Sequence, residues 1–271
     1  MFRIACVQME PTIGDLEGNR RESNRLIREA AGNGAKFIVL PEAAAAGYMF
    51  RDRSEAMSMA EEIPSGPACT QWLELCRELD VWIVAGLTEK EDEEVYNSAV
   101  LLSPGGYIGK FRKVHLWNDE KDIYGPGQEF PVFETELGRI AIAICYDAWF
   151  PETFRSASLG GADLLVMPCN WVPVPQQPSG TVMANMMCQT GAHSNHLFVA
   201  AASRVGVERG QDFVGCSIVV GPDGWPVAGP ASRDQPEIVY ADIDPLGTRE
   251  ERWGNPFNQP VNDRRTDVYR A

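Results

Sequence analysis

The sequence is short of positive charge and of histidine. Its 271 residues include 24 Lys and Arg against 38 Asp and Glu, which gives a formal net charge of -14, and only three His. Such a charge repels phosphate backbones and anionic lipid, and no cluster of basic residues offsets it locally. We therefore expect neither nucleic acid nor a membrane as a partner.

Long apolar runs and paired cysteines are also missing. The first residues, MFRIACVQM, enter a strand-like pattern at once, without the charged and apolar regions of a signal peptide. No apolar run is long enough to span a bilayer. The seven cysteines form no CxxC pair, and their odd number leaves one outside any set of disulfides. We expect a cytoplasmic protein whose cysteines are reduced thiols.

The sequence does contain enough apolar residues, 44%, for a large core. Strand-like runs alternate with segments of helical period, and the apolar residues of 67–79 fall on one stripe with a period of 3.6. The other predicted helices are 17–33, 151–160 and 181–192, and the clearest predicted strands are 3–9, 36–42, 81–87 and 163–171.

Hairpin-like segments around SPGG and PDG occur beside these alternating elements. This combination predicts an α/β fold with mixed sheets rather than a purely parallel one. No low-complexity linker divides the chain, so we expect a single domain over 1–271. From about residue 246 the chain is polar and Arg-rich, which predicts a C-terminal tail, 246–271, that packs late and contributes to subunit contacts.

One cysteine stands out by its position. In IAIAICYDAWFPE, five apolar residues lead directly into Cys145, and Pro151 with Glu152 has the composition of a helix's first turn. On such a turn, free backbone N–H groups can donate to an oxyanion, and the helix N-terminus favours the thiolate. The alternative is a buried, unreactive thiol, as we expect for most of the other cysteines.

A nucleophilic thiol needs a proton acceptor. His193 and His196 flank a helix-to-strand junction, where surface or capping roles fit, whereas His115 in KVHLW remains a candidate. Glu42 follows a buried strand, at the carboxyl end where open α/β sheets bind ligands. A partly desolvated Glu has a raised pKa and can transfer protons near neutrality, although Glu42 could also be a solvated charge at a strand end.

The segment GKFRKVHLWNDEKDIYGPG supplies Lys110, Lys113 and Glu120. By a period of two, Lys113 shares a strand face with His115, and Lys110 points to the other face. A cation on a strand is usually a solvated edge residue. That interpretation suits Lys110 and Arg112 better than Lys113, which precedes the apolar and aromatic VHLW.

These segments together resemble the nitrilase superfamily of carbon-nitrogen hydrolases. The resemblance covers nearly the whole chain and is carried by QM in the first strand, LPEAAAAGY, GKFRKVHLW, CYDAWFPE and MPCNW, in that order. It implies a four-layer αββα sandwich. It also implies that Glu42 is the general base, Lys113 the charge stabiliser and Cys145 the nucleophile, with Glu120 as a second active-site glutamate and His115 in a supporting role.

The chemistry implied by this resemblance is hydrolysis through a thioester on Cys145. Lys113 and the backbone N–H of Tyr146 would hold the oxyanion, without a metal or an organic cofactor, and the sequence has no HExxH, P-loop or GxGxxG motif. True nitrilases tend to have Cys-Trp-Glu at the nucleophile, whereas this chain has Cys145-Tyr146-Asp147. We therefore expect an amidase acting on a small aliphatic carboxamide, with an N-carbamoyl hydrolase as the alternative and a nitrilase as a weaker one.

The substrate pocket is predicted from residues beside the motifs, which end strands at the active edge. The pocket candidates are Trp117, Tyr146, Trp149, Asn170 and Trp171. The aromatic members of this set could instead belong to the core. An anchor for a charged substrate group would be one of Arg155, Arg204 and Arg209.

Assembly and two other functional classes stay open at this point. The family usually assembles through helices near the nucleophile, which implies a homodimer or a higher oligomer, with 263–271 crossing to the partner. A binding or scaffold protein could keep the fold without turnover. A redox protein would need a second thiol, and none lies near Cys145 in the sequence.

Overall fold

The computed structural model describes residues 1–178, 180, 182–247 and 257–269. The strands are β1 (Phe2–Gln8), β2 (Phe37–Val39), β3 (Trp82–Glu91), β4 (Glu94–Ser103), β5 (Gly106–Arg112), β6 (Val132–Thr135), β7 (Gly138–Ile142), β8 (Leu164–Cys169), β9 (Phe198–Ser203), β10 (Val205–Glu208), β11 (Gln211–Val214), β12 (Ile218–Val220), β13 (Pro226–Ala228) and β14 (Glu237–Ile243). The helices are α1 (Leu16–Gly32), α2 (Arg53–Met59), α3 (Pro67–Leu79), α4 (Glu120–Ile123), α5 (Pro151–Leu159) and α6 (Met183–Asn195), with a 3₁₀ helix at Cys145–Trp149.

Two six-stranded mixed sheets form the centre of the molecule. Their orders are β14-β1-β2-β3-β4-β5 and β13-β12-β9-β8-β7-β6, and β10 and β11 form a separate hairpin. The parallel strands lie in the middle of each sheet, β1 to β3 in the first and β7 to β9 in the second, and the antiparallel strands lie outside them. The predicted α/β fold with mixed sheets is confirmed.

The two sheets pack face to face, and helices cover their outer faces. Ile4 of the first sheet and Val166 of the second belong to one continuous core between the sheets. On the outer face of the first sheet, Ile27 of α1 and Trp72 of α3 pack against Ile38. On the second sheet, α5 and α6 pack together and extend the central core outward. The order of layers is αββα, as the resemblance implies.

Two strands end earlier than the sequence predicts. β2 stops at Val39, because Pro41 has no N–H to donate and Glu42 follows it in a turn. β5 stops at Arg112, so Lys113 and His115 lie beyond the strand, and the expectation that they share a strand face is wrong. Within the described residues, no helix is long and apolar enough to cross a membrane.

The predicted tail is described only in part, because 248–256 and 270–271 lie outside the described residues. The described part, 257–269, contains turns and no helix or strand. Its role in subunit contacts remains a prediction.

Candidate active site

Glu42 lies in the turn that follows β2, fully buried. Gly86 of the neighbouring β3 lets this turn approach closely, because a Cβ atom on Gly86 would lie 2.5 Å from Cα of Glu42. The Gly86 N–H donates to the Pro41 carbonyl at 3.1 Å and fixes the turn to the sheet. The carboxylate is thereby held at the carboxyl end of the parallel strands.

Lys113 reaches this carboxylate from the end of β5. Its ammonium donates to Oε1 of Glu42 at 2.7 Å and to the two carboxylate oxygens of Glu120 at 2.9 and 2.8 Å. All three side chains are buried. Burial alone would lower the pKa of Lys113, but Glu120 and Glu42 outweigh it and hold that pKa well above its usual value. The site therefore contains a permanent buried cation.

Asn97 of β4 ties the two carboxylates together. Its Nδ2 donates to Oε1 of Glu42 at 2.7 Å and to Oε1 of Glu120 at 2.8 Å. The Trp117 N–H donates to the other oxygen of Glu120 at 2.6 Å. Both oxygens of Glu120 are thus hydrogen-bonded.

The second oxygen of Glu42 is different. Among the described residues, none hydrogen-bonds to Oε2 of Glu42, although this atom is buried. Burial is the largest influence on the pKa of Glu42 and raises it, and repulsion from Glu120 adds to the effect. Lys113 and Asn97 offset this rise only in part. An unpartnered carboxylate oxygen with a raised pKa is suited to take up a proton.

Cys145 lies where the chain leaves β7 and begins the 3₁₀ helix. Its φ of 45° is in the left-handed region, which is unusual for a residue with a Cβ and is a form of strain that clusters at functional sites. Asp147 fixes this turn from both sides: Oδ2 accepts the Ile144 N–H at 2.9 Å and Oδ1 accepts the His115 N–H at 2.9 Å. Lys113 bonds Glu42, and the Tyr48 ring, 5.8 Å from the Lys113 ammonium, lines the same cavity as Cys145, so the three predicted triad residues lie in one region.

The resting thiol does not behave as the sequence suggested. The helix N-terminus was expected to favour the thiolate, but burial dominates and raises the pKa of Cys145. The neighbouring Cys169 thiol and Asn170 main chain offset this rise in the pKa in part. The candidate nucleophile is therefore a thiol rather than a thiolate near neutral pH, and it needs a base.

A cavity of about 70 Å³ opens onto the thiol of Cys145. All five predicted pocket residues line it, and the complete lining is Tyr48, Trp117, Cys145, Tyr146, Trp149, Asn170, Trp171, Val172 and Val174. Neither polar atom of the Asn170 side chain has a hydrogen-bond partner among the residues that the structure describes, although Asn170 is buried. Such a side chain can bind a ligand that supplies both a donor and an acceptor.

None of the three candidate arginines lines this cavity. Arg204 is buried in an ion pair with Glu208 at 2.7 Å, and Glu208 accepts the Tyr48 N–H, so the pair braces the loop after Glu42. Arg209 pairs with Glu55, and Arg155 donates to a main-chain carbonyl of α6. The three arginines thus have structural partners within the protein, and none of them is positioned to bind a substrate in this cavity.

The contacts of the three histidines are structural. His115 bonds Asp147 through Nδ1 at 2.7 Å and stacks on Phe150, which supports the turn that carries Cys145. His196 is the C-cap of α6 in the left-handed conformation, as the capping interpretation predicts. His193 contacts the Asp223 carbonyl at 2.9 Å.

Four residues at the site were missed from the sequence: Asn97, Asp147, Tyr48 and Cys169. An Asn inside the apolar strand that continues into AVLL is a recognisable signal, because a buried polar side chain needs partners. The ring of Tyr48 lies 5.8 Å from the Lys113 ammonium and connects the charged residues to the cavity. No three His, Cys, Asp or Glu in the described part of the chain are grouped to hold a metal ion.

Comparison with known proteins identifies relatives over the full chain. The model of the carbon-nitrogen hydrolase family matches residues 3–252. The chain is 37% identical over 270 residues to a nitrilase of Pyrococcus abyssi, with 99% of both chains covered. It is 30% identical to N-carbamoylputrescine amidase of Solanum lycopersicum, with 100% of this chain and 94% of that protein covered.

Solved structures show the same fold. The carbon-nitrogen hydrolase from Helicobacter pylori G27 superposes with a TM-score of 0.87 at 27% identity, over 99% of this chain and 96% of that one.

Proposed function

We propose that this chain, which belongs to the carbon-nitrogen hydrolase family, is an amidase that hydrolyses small uncharged carboxamides to the acid and ammonia. The observation that carries the proposal is the unpartnered Oε2 of Glu42, buried beside Lys113 and within electrostatic reach of Cys145. A base and a fixed cation near the thiol that lines the cavity are the parts that acyl transfer needs.

In the first half of the reaction, Oε2 of Glu42 takes the proton of Cys145 and the sulfur attacks the amide carbon. The developing oxyanion is stabilised by the Lys113 ammonium and by the N–H of Tyr146, which lies in the first turn of the 3₁₀ helix, where N–H groups lack partners within the helix. Glu42 then gives its proton to the leaving nitrogen. Ammonia departs and a thioester remains on Cys145.

In the second half, Glu42 takes a proton from water as the water attacks the thioester carbon. The same two donors hold the second oxyanion, and the carboxylic acid leaves as the sulfur regains a proton from Glu42. Glu120 takes no proton in this scheme, because its oxygens are occupied by Lys113, Asn97 and the Trp117 N–H. It positions Lys113 and raises the pKa of Glu42.

The cavity supports a small neutral substrate. No charged side chain is among its described lining residues, so a carboxylate on the substrate would be desolvated there without a partner. Its volume of about 70 Å³ suits an acyl group of a few carbon atoms. The unpartnered amide of Asn170 can bond the substrate's own amide group.

One observation favours a second candidate, an N-carbamoyl amine hydrolase. Five aromatic side chains line the cavity, and aromatic faces attract alkylammonium groups. The relative from Solanum lycopersicum is named for a substrate of that kind. Nitrile hydrolysis is a third outcome, given the nitrilase of Pyrococcus abyssi, and Cys145-Tyr146-Asp147 argues against it by its resemblance to amidase branches.

A turnover screen separates these activities. Aliphatic amides, ω-amides, N-carbamoyl amines and nitriles are compared by ammonia release, and we expect the small aliphatic amides to have the highest kcat/KM. Cys145→Ala should remove the activity, whereas the matched control Cys69→Ala, at a buried thiol on α3, should retain it. Equal turnover by Cys145→Ala and the parent would contradict the mechanism, and a folded protein inactive on every class would favour a scaffold.

A further inference from the structure

Cys169 lies beside the candidate nucleophile because of the register of two parallel strands. Ile142 of β7 pairs with Val166 of β8, and the Ala143 N–H donates to the Val166 carbonyl at 3.1 Å. Three residues further along, the two chains reach Cys145 and Cys169. Cys169 ends β8, and β8 packs against the 3₁₀ helix that Cys145 begins. The register therefore brings the two cysteines to the same end of neighbouring strands.

The two thiols are close enough to shift each other's pKa. The single S–H of Cys169 donates to the Met167 carbonyl at 3.3 Å. Cys169 has no exposed surface, whereas Cys145 is 9% exposed and lines the cavity. A solute that enters the cavity can therefore react with Cys145, whereas Cys169 is not accessible from the cavity.

We propose that Cys145 and Cys169 form a reversible modification site, in which a hydroperoxide oxidises Cys145 and Cys169 then closes a disulfide onto it. No other cysteine lies near Cys145 along the sequence, but the fold brings Cys169 close to it. The other cysteines of the described chain are free and buried as well, so the distinction of Cys169 is its position beside the thiol that faces the cavity.

The first step consumes one peroxide. The Cys145 thiolate, formed as Glu42 takes its proton, attacks a peroxide oxygen, so that an S–O bond forms and the O–O bond breaks. The departing hydroxide leaves beside the Lys113 ammonium and becomes water with the proton held by Glu42. The sulfur is oxidised by two electrons to a sulfenic acid, and the peroxide is reduced.

In the second step, the Cys169 sulfur attacks the sulfenic sulfur. An S–S bond forms, the S–O bond breaks, and hydroxide leaves as water with the proton of the Cys169 thiol. The net reaction converts two thiols and one hydrogen peroxide into a disulfide and two waters. The disulfide blocks the nucleophile and protects it from irreversible oxidation to a sulfinic acid.

Peptide mapping of the full chain tests the proposal without any substrate. The protein is treated with hydrogen peroxide, its free thiols are alkylated with iodoacetamide, and it is digested without reduction. We expect a linked peptide that contains Cys145 and Cys169, loss of iodoacetamide labelling at Cys145, and recovery of that labelling after dithiothreitol. Sulfinic acid on Cys145, or a link from Cys145 to a different cysteine, would overturn the proposal.

Two variants sharpen the result. In Cys169→Ala, Cys145 has no resolving thiol, so peroxide should carry it to a sulfinic acid that dithiothreitol does not reverse. Cys188→Ala is the matched control, because Cys188 is also fully buried and lies within electrostatic range of Cys145, and it should still form the link. If Cys169→Ala fails to fold, the map of the parent protein decides alone.

The accompanying loss of turnover rests on the proposed amidase function, whereas formation of the disulfide does not. A mapped Cys145–Cys169 link in a protein that releases no ammonia from any amide would refute the proposed function and support the modification site. Amide turnover that persists while the link is complete would refute Cys145 as the nucleophile.

Discussion

Two ionic clusters on the first sheet differ in how completely their charges are paired. The site cluster consists of Glu42, Lys113 and Glu120, and places one cation between two carboxylates. The edge cluster, on β3 and the edge strand β5, places the buried Glu89 between the cations Lys110 and Arg112, which also pair with the exposed Glu91.

The carboxylate of the edge cluster is satisfied. Glu89 receives hydrogen bonds from Lys110, Arg112 and Ser98. Burial alone would raise the pKa of Glu89, but these donors outweigh it and lower the pKa below its usual value. The carboxylate is thus held charged, and its role is structural.

The site cluster has the opposite balance. Glu42 is equally buried, but it shares its cation with Glu120, and one of its oxygens has no partner in the described residues. Its pKa is raised, chiefly by burial. The difference indicates that burial alone does not suit a carboxylate to proton transfer. Incomplete pairing does, because it leaves a proton acceptor whose charged form is costly.

The largest contrast is expected from matched Glu→Gln variants. Glu42→Gln removes the base and should lower kcat by about 10²–10⁴-fold, with little loss of stability because a poorly solvated charge is removed. Glu89→Gln should leave kcat unchanged but lower the free energy of unfolding by about 1–3 kcal/mol, because the two cations lose their buried partner and keep only Glu91. Ammonia release measures kcat, and urea unfolding measures the free energy of unfolding. Equal changes of both quantities in the two variants would show that the two carboxylates do not differ in role.

The two lysines give the next contrast. Lys113→Met should lower kcat by about 10²–10³-fold, the usual cost of losing one oxyanion donor. It should also destabilise the fold by about 3–5 kcal/mol, because two buried carboxylates lose their cation. Lys110 is 27% exposed, so Lys110→Met should cost less than about 1 kcal/mol and leave kcat unchanged. Full activity in a folded Lys113→Met would remove Lys113 from the mechanism.

The two clusters should also differ in pH dependence, the site cluster through activity and the edge cluster through stability. A proton on Glu42 blocks the base, so kcat/KM should fall as pH drops through its raised pKa, which lies above the usual Glu value of about 4.3. Glu89 has a lowered pKa, so its contribution to stability is complete above the usual value and is lost only as pH falls below it. Activity should therefore be lost at a higher pH than folding. Coincident losses of activity and circular dichroism would contradict this.

The smallest effect is expected from two neighbours on β4. Asn97 donates to Glu42 and lowers its pKa, so Asn97→Ala should move the acid limb of kcat/KM to higher pH. Ser98 points to the opposite face and donates to Glu89, so Ser98→Ala should leave the acid limb in place and cost about 1 kcal/mol of stability. An unmoved acid limb in Asn97→Ala would show that Asn97 does not position the base.

Periodicity predicted much of the fold. The stripe of apolar residues gave a helix over 67–79, and α3 spans the same residues. The sandwich order and the triad positions followed from motif resemblance instead. α2 was not predicted, because its seven residues, of which only Ala56 is buried, carry little periodic signal.

Features that depend on the register between strands could not be predicted from the sequence. Asn97 and Cys169 reach the site through pairing between strands that are distant along the chain. The direction of the Cys145 pKa also depends on burial, which local composition at a turn does not reveal. The five pocket residues were found because each lies beside a motif, whereas Tyr48 was passed over although it lies in LPEAAAAGY itself.

The most direct test of the account is rapid-quench mass spectrometry of the enzyme during turnover of a small aliphatic amide. The account predicts a transient thioester whose mass equals the acyl group of that amide, located on Cys145 by peptide mapping and prolonged in Glu42→Gln. Sustained ammonia release with no acyl group on Cys145, or with the acyl group on another residue, would contradict it.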